Sequence, residues 1–143
     1  MKPDIKNALF TLAVLLSLAA CAARADDAAP AIDCSKAMAT VELNFCAEKE
    51  LDKADAALNA VYKQVLAFIT KNGSDKPYDS KSWEAALRDS QRAWVAFRDA
   101  DCNGLIPMSW TGGTATSGAV LGCMSEKSKV RTKELESLYE LEK

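Results

Sequence analysis

The chain contains no histidine. That absence removes the general base of Ser-His-Asp and Cys-His nucleophile activation, together with the commonest transition-metal ligand. There is no Cys-x-x-Cys pair either, and the gaps between the last four cysteines, 11, 55 and 20 residues, do not match a zinc ribbon. Neither a metal nor a cofactor is expected. No stretch alternates β-branched and polar residues as a half-buried strand would. Basic charge is not in excess: 18 Lys and Arg stand against 20 Asp and Glu. No cationic stripe follows a phosphate backbone, so nucleic acid is not an expected partner. Paired carboxylates can hydrolyse glycosides without histidine, and Asp99 with Asp101, or Glu48 with Glu50, would supply them. Neighbouring charges on helices are ordinarily solvated surface, and the chain reads as a non-enzyme.

What is present begins with an export signal. Lys2 and Lys6 give a short positive start, and Ala8 to Ala20 is an apolar run broken only by Thr11 and Ser17. Leu18-Ala19-Ala20-Cys21 has the form of a lipobox, in which Cys21 becomes the acylated first residue. Ala23-Arg24-Ala25 has the small-x-small form of an ordinary cleavage site, with the mature chain starting at Asp26. Removing residues 1–20 leaves a net charge of −3, and cleavage after Ala25 makes it −4. Either cut takes Cys21 out of the count and leaves four cysteines, Cys34, Cys46, Cys102 and Cys123, in an oxidising compartment where two disulfides form. The expected organisation is a signal peptide over 1–25, a tether over 26–32 and one helical domain over 33–143.

Three helices are written in the apolar spacing. Leu51, Ala54, Leu58, Val61, Val65 and Phe68 recur at steps of three and four, which predicts a helix from Thr40, as N-cap, to Lys71. Asn72-Gly73 stops it. A second helix starts at Ser80 or Ser82 and carries Trp83, Leu87, Ser90, Trp94, Phe97 and Asp101 in its seam, ending around Cys102-Asn103-Gly104. Residues 103–116 read as a loop, because Gly104, Pro107, Gly112 and Gly113 interrupt regular structure. A third helix runs from about Ser117, with Met124, Ser128, Arg131, Leu135 and Leu138 in its seam. The predicted fold is all-α, an antiparallel three-helix up-down-up bundle stapled by two disulfides. This topology gathers all four cysteines at one pole. Three pairings are open to them, and the spacing does not choose. The local one is expected, Cys34–Cys46 with Cys102–Cys123, the second closing a loop worth roughly 3 kcal/mol of unfolded-state entropy.

Three segments stand out together: Asp33-Cys34-Ser35-Lys36-Ala37 with Val41-Glu42 and Cys46-Ala47; Leu51, Asp55, Leu58 and Tyr62; and Gln91-Arg92-Ala93-Trp94-Val95-Ala96-Phe97-Arg98-Asp99-Ala100-Asp101-Cys102. They resemble the LprI-type lysozyme inhibitor N-terminal domain family, small secreted or lipid-anchored bacterial envelope domains. That family carries a Gln-Arg-x-Trp-x-x-(Phe/Tyr)-Arg-Asp-x-x-Cys signature. Gly112-Gly113, Cys123 and Arg131 fall where the family has its Gly pair, last cysteine and arginine. The resemblance spans residues 33–141. It implies an exported, non-enzymatic protein, periplasmic or lipid-anchored, with a protein partner, lysozyme being the one from which the family takes its name; the alternative is a structural or interaction module of the periplasm or outer membrane with no lysozyme activity. Membrane contact would come only through a lipid on Cys21.

The residues divide into frame and face. Trp94 and Phe97 are expected in the core, Gln91 and Asn44 as polar contacts between helices. Arg98 is expected to pair with Glu42, and Arg131 with Asp99 or Asp101. Trp110 belongs to no helical seam and lies among small polar residues in Met108-Ser109-Trp110-Thr111-Gly112-Gly113-Thr114, the composition of a binding loop with one aromatic anchor. Trp110, Gly112 and Gly113 are therefore the binding candidates, with Asp101 as the acidic neighbour that meets a basic partner. The alternative is that Trp110 folds back as a lid over the end of the bundle.

Overall fold

The structure, a computed structural model, describes residues 32–141. The expected export signal, Cys21 and nearly all of the expected tether lie outside them. Among the described residues the regular elements are all helical: α1 (Thr40–Asn72), α2 (Ser80–Ala100), one turn of π-helix (Asp101–Leu105), the short α3 (Ile106–Ser109) and α4 (Thr116–Leu138). The long helices are the up-down-up trio, as the register of their contacts shows. From α1 to α4, Ser125 Oγ reaches the Glu50 carbonyl, Ser128 Oγ reaches Asp55 and Tyr139 meets Phe68, so both numbers rise together. From α1 to α2 they run oppositely, Ser80 meeting Ile69 and Arg98 meeting Asp55.

α1 buries Ala54, Leu58, Val61, Val65 and Ile69 on one stripe. The expected seam continued to Phe68, but Ile69 is the buried residue and Phe68 turns partly outward into an aromatic cluster. There Phe68 stands edge-on to Trp83 and Tyr139, at 6.0 and 5.7 Å between ring centres, and Trp83 stacks on Tyr139 at 6.0 Å. α4 contributes Ser125, Ser128 and Leu135 to the interior. Small side chains there bring α4 close to α1, and the hydroxyls of Ser125 and Ser128 each find an acceptor on α1. Leu138 is exposed and Tyr139 takes the place expected of it, one full step of four after Leu135.

Helix ends follow local chemistry. Ala39, not Thr40, is the N-cap of α1. Alanine has no side-chain acceptor, so the cap is one-sided: Glu42 accepts from the N–H groups of Met38 and Ala39 at 3.0 and 3.1 Å. α2 is capped by Asp79, which accepts from the Ser82 N–H at 2.8 Å. Gly73 ends α1 with an ordinary φ of −63°. Its lack of a side chain is required by proximity, since a Cβ there would overlap the Ser80 nitrogen and fall 2.7 Å from the Ser80 Cα.

The expected break at Cys102-Asn103-Gly104 does not occur. The helical path continues through the π-turn into α3, and only residues 110–115 form a non-helical connection. Pro107 has no N–H to offer the carbonyl four residues back, which favours a wider turn before it, and it sits in the first turn of α3 where that missing donor costs nothing.

Candidate functional site

Two disulfides hold one pole. Cys34–Cys46 ties the segment before α1 to that helix, and Cys102–Cys123 ties the π-turn to α4. The first is prepared by Asp33, whose carboxylate accepts from the Ser35 N–H at 3.0 Å and the Ser35 hydroxyl at 2.7 Å. That turn places Cys34 over α1, and the bonds from Ser35 hold the Asp33 carboxyl below its usual range. Glu42 is likewise held low by its two backbone donors. Cys102 is completely buried, so the second disulfide anchors the start of the connecting segment inside the protein.

The connection is wound tightly on itself. Trp110 donates its N–H to Ile106 at 3.0 Å, Gly112 to Pro107 at 3.2 Å, Gly113 to Trp110 at 3.2 Å and Thr116 to Gly113 at 3.0 Å. Thr111 and Gly112 both take the left-handed region, with φ of 54° and 69°. Glycine accepts that conformation without strain, whereas a β-branched threonine does not. The chain thus reverses in a fixed turn immediately after Trp110. Trp110 is 48% exposed, and Leu105 and Met108, at 63% and 78%, stand out beside it in sequence. From Cys102 to Ser125 no residue is charged. The segment is therefore a neutral, backbone-braced projection with three large apolar side chains facing solvent. Leu105 and Met108 were legible as apolar residues in a Gly-bearing stretch, but reading that stretch as an undifferentiated loop hid them.

The charged residues form a frame around it, with partners other than those expected. Arg98 does not meet Glu42, which is spent on its own helix terminus. Its guanidinium instead reaches Asp55 at 3.2 Å, Ser128 at 3.2 Å and Asp99 at 3.0 Å, and it lies 5.3 Å from the centre of the Trp94 ring. Ser128 in turn donates to Asp55 at 2.6 Å, so one cluster joins all three long helices. Arg131 pairs with Glu134 at 3.1 Å and bonds Gln91 and Ser90 on α2, not Asp99 or Asp101. Gln91 is the interhelical contact expected of it, and Asn44 lies against Gly118, where an added Cβ would be 3.0 Å from its side-chain oxygen. Asp101 is paired with Lys127 at 2.6 Å, so its charge is already compensated. Phe97 is not in the core. It is 57% exposed at the end of α2, with the Lys127 ammonium 4.5 Å from its ring centre.

Among the described residues no three carboxylate or thiol groups are placed to hold a metal ion, and no helix is long and apolar enough to cross a membrane. The fold and its frame define a small helical domain pinned by two cystines at the pole where it presents an uncharged segment. The chain belongs to the lysozyme inhibitor LprI family, whose model matches residues 33–135. It is also 34% identical over 126 residues to the uncharacterized protein R02472 of Rhizobium meliloti (strain 1021), covering 86% of this chain and 90% of that protein. No solved structure matches.

Proposed function

We propose that the protein is an exported, non-enzymatic inhibitor that binds lysozyme-type muramidases and occludes their substrate cleft with the segment between Cys102 and Cys123. The observation that carries this reading, beside family membership, is the braced and uncharged projection bearing Leu105, Met108 and Trp110. A large aromatic anchor on a preorganised turn binds without first paying the entropy of ordering a loop. Gly112 supplies the reversal that sets Trp110 forward. Because Asp101 is already paired with Lys127, attraction to a basic enzyme is not assigned to it. Affinity comes from apolar burial and shape.

The test is a lysozyme turnover assay with the purified, oxidised protein against several lysozyme types. Inhibition is expected, and Trp110→Ala should weaken it about tenfold or more, the loss of about 1.4 kcal/mol of anchor energy, with an unchanged melting temperature. Absence of inhibition at micromolar excess against every type removes the proposal. A Trp110→Ala protein that melts lower but inhibits equally would place the ring in the fold's support, not in its binding face.

A further inference from the structure

At the pole opposite the disulfides, where α1 hands over to α2, a recess of about 430 Å³ opens between the 73–79 connection and the first turns of α2. Its walls are Trp83, Tyr78 and Pro77, and Asn72, Ser74 and Ser82 add polar groups. The size falls within the range of small-ligand sites. None of these six side chains is charged, although Asp75, Lys76, Asp79 and Lys81 are close in sequence.

The recess is built, not merely left over. Trp83 is fixed by its stack on Tyr139, by the edge of Phe68 and by its indole N–H, which donates to the Tyr139 hydroxyl at 3.3 Å. The connection is braced by Ser74 and Tyr78, whose backbone groups join at 3.2 Å, and by the Ser80 hydroxyl bonded to the Ile69 carbonyl at 3.1 Å. Asn72 donates its amide N–H to the Phe68 carbonyl at 2.8 Å, which fixes the side chain and leaves its oxygen as an acceptor. Tyr78 is 74% exposed, far more than an aromatic recruited for packing.

The chemistry of the lining selects a ligand class. An ionic ligand would lose hydration against walls that offer no countercharge. A wholly apolar one would cover the Asn72 oxygen and the hydroxyls without replacing their hydrogen bonds to water. A ligand with an apolar face and a polar, uncharged edge avoids both penalties. The C–H face of a sugar ring is slightly positive and meets the negative face of an aromatic ring, while its hydroxyls reach amide and hydroxyl partners. We propose that this recess is a second binding site, for a neutral saccharide ring stacked against the Trp83 and Tyr78 wall. It is separate from the Trp110 segment and does not rest on the inhibitory reading.

The experiment is a ¹⁵N–¹H NMR titration of the oxidised protein with three probes: chitotetraose, a sulfated heparin tetrasaccharide and a proline-rich peptide. Chitotetraose at concentrations up to about 10 mM, the range for a shallow single-ring site, should shift the amides of residues 72–86 and the Trp83 indole. Tyr78→Ala should weaken that response about fivefold or more, and Ser74→Ala should weaken it by a smaller factor. Trp110→Ala should leave it unchanged, which separates this site from the inhibitory face. No shift, a shift that Tyr78→Ala and Ser74→Ala both leave intact, or a stronger response to either of the other two probes would overturn the assignment.

Discussion

Removing Arg98 should expose how much the polar cluster inside the bundle contributes. Its side chain is 14% exposed, and it serves Asp55 at 3.2 Å and Asp99 at 3.0 Å at once. At that separation the bare attraction of one pair is about 5 kcal/mol at an effective dielectric of about 20, and about 1 kcal/mol in water. Asp55 is 38% exposed, so solvent screens the pair and the figure must be cut well below the buried-pair range. Arg98→Met leaves Asp55 with only the Ser128 hydroxyl and removes the cation beside Trp94. We expect a loss of about 2–3 kcal/mol, between the surface and buried limits. For a domain of this size that lowers the melting temperature by about 10 °C. Asp55→Ala should cost less, because Arg98 keeps Asp99. The assay is a double-mutant cycle by urea denaturation, and the coupling between Arg98 and Asp55 should be about 1–2 kcal/mol. Additivity to within about 0.5 kcal/mol, or an Arg98→Met protein as stable as its parent, would refute the reasoning.

Further outcomes follow from local geometry. Gly73→Ala should destabilise by about 1–3 kcal/mol although its φ of −63° suits any residue, because the new Cβ overlaps the Ser80 nitrogen and falls 2.7 Å from the Ser80 Cα. Adding Ser80→Ala should not rescue it, while Gly122→Ala, in α4 with open space around it, should stabilise by about 0.5–1 kcal/mol in the same denaturation assay. Acid should also weaken the fold: Glu42 and Asp79 have folded pKa values depressed by backbone N–H donors. Their contribution is therefore complete above the ordinary carboxylate range near pH 4 and lost as pH falls through the depressed values. Melting temperatures recorded on acidification should drop through that window, and Glu42→Gln should flatten part of the drop. A pH-independent melting curve would contradict the capping geometry.

The long helices were legible because their burial is periodic. Ala54, Leu58, Val61 and Val65 repeat at steps that only a helix satisfies, and all are buried. The four cysteines that follow Cys21 made a stapled pole readable as well. What escaped was phase and partner choice. Phe97 shares the spacing of Trp94, but α2 buries only Leu87 completely, and an aromatic at the edge of so narrow a stripe falls outside it. Glu42 could not be assigned correctly from charge alone, because two backbone N–H groups three and four residues away compete with any arginine. Asp55 follows Ala54 at the margin of the buried α1 stripe and is 38% exposed, so the apolar spacing did not mark it as the partner of Arg98. The π-turn was hidden because Gly104 and Pro107 are interruptions in most contexts. Here the chain bends around them without leaving the helical path.

Both cystines lie at the presenting end, whereas the Phe68, Trp83 and Tyr139 stack secures the other. Reduction of the disulfides would therefore slacken the molecule unevenly, sparing its aromatic foot and loosening the pole that carries Trp110. With its sulfhydryls free, the chain would keep that foot while the pole carrying Trp110 lost both of its covalent ties.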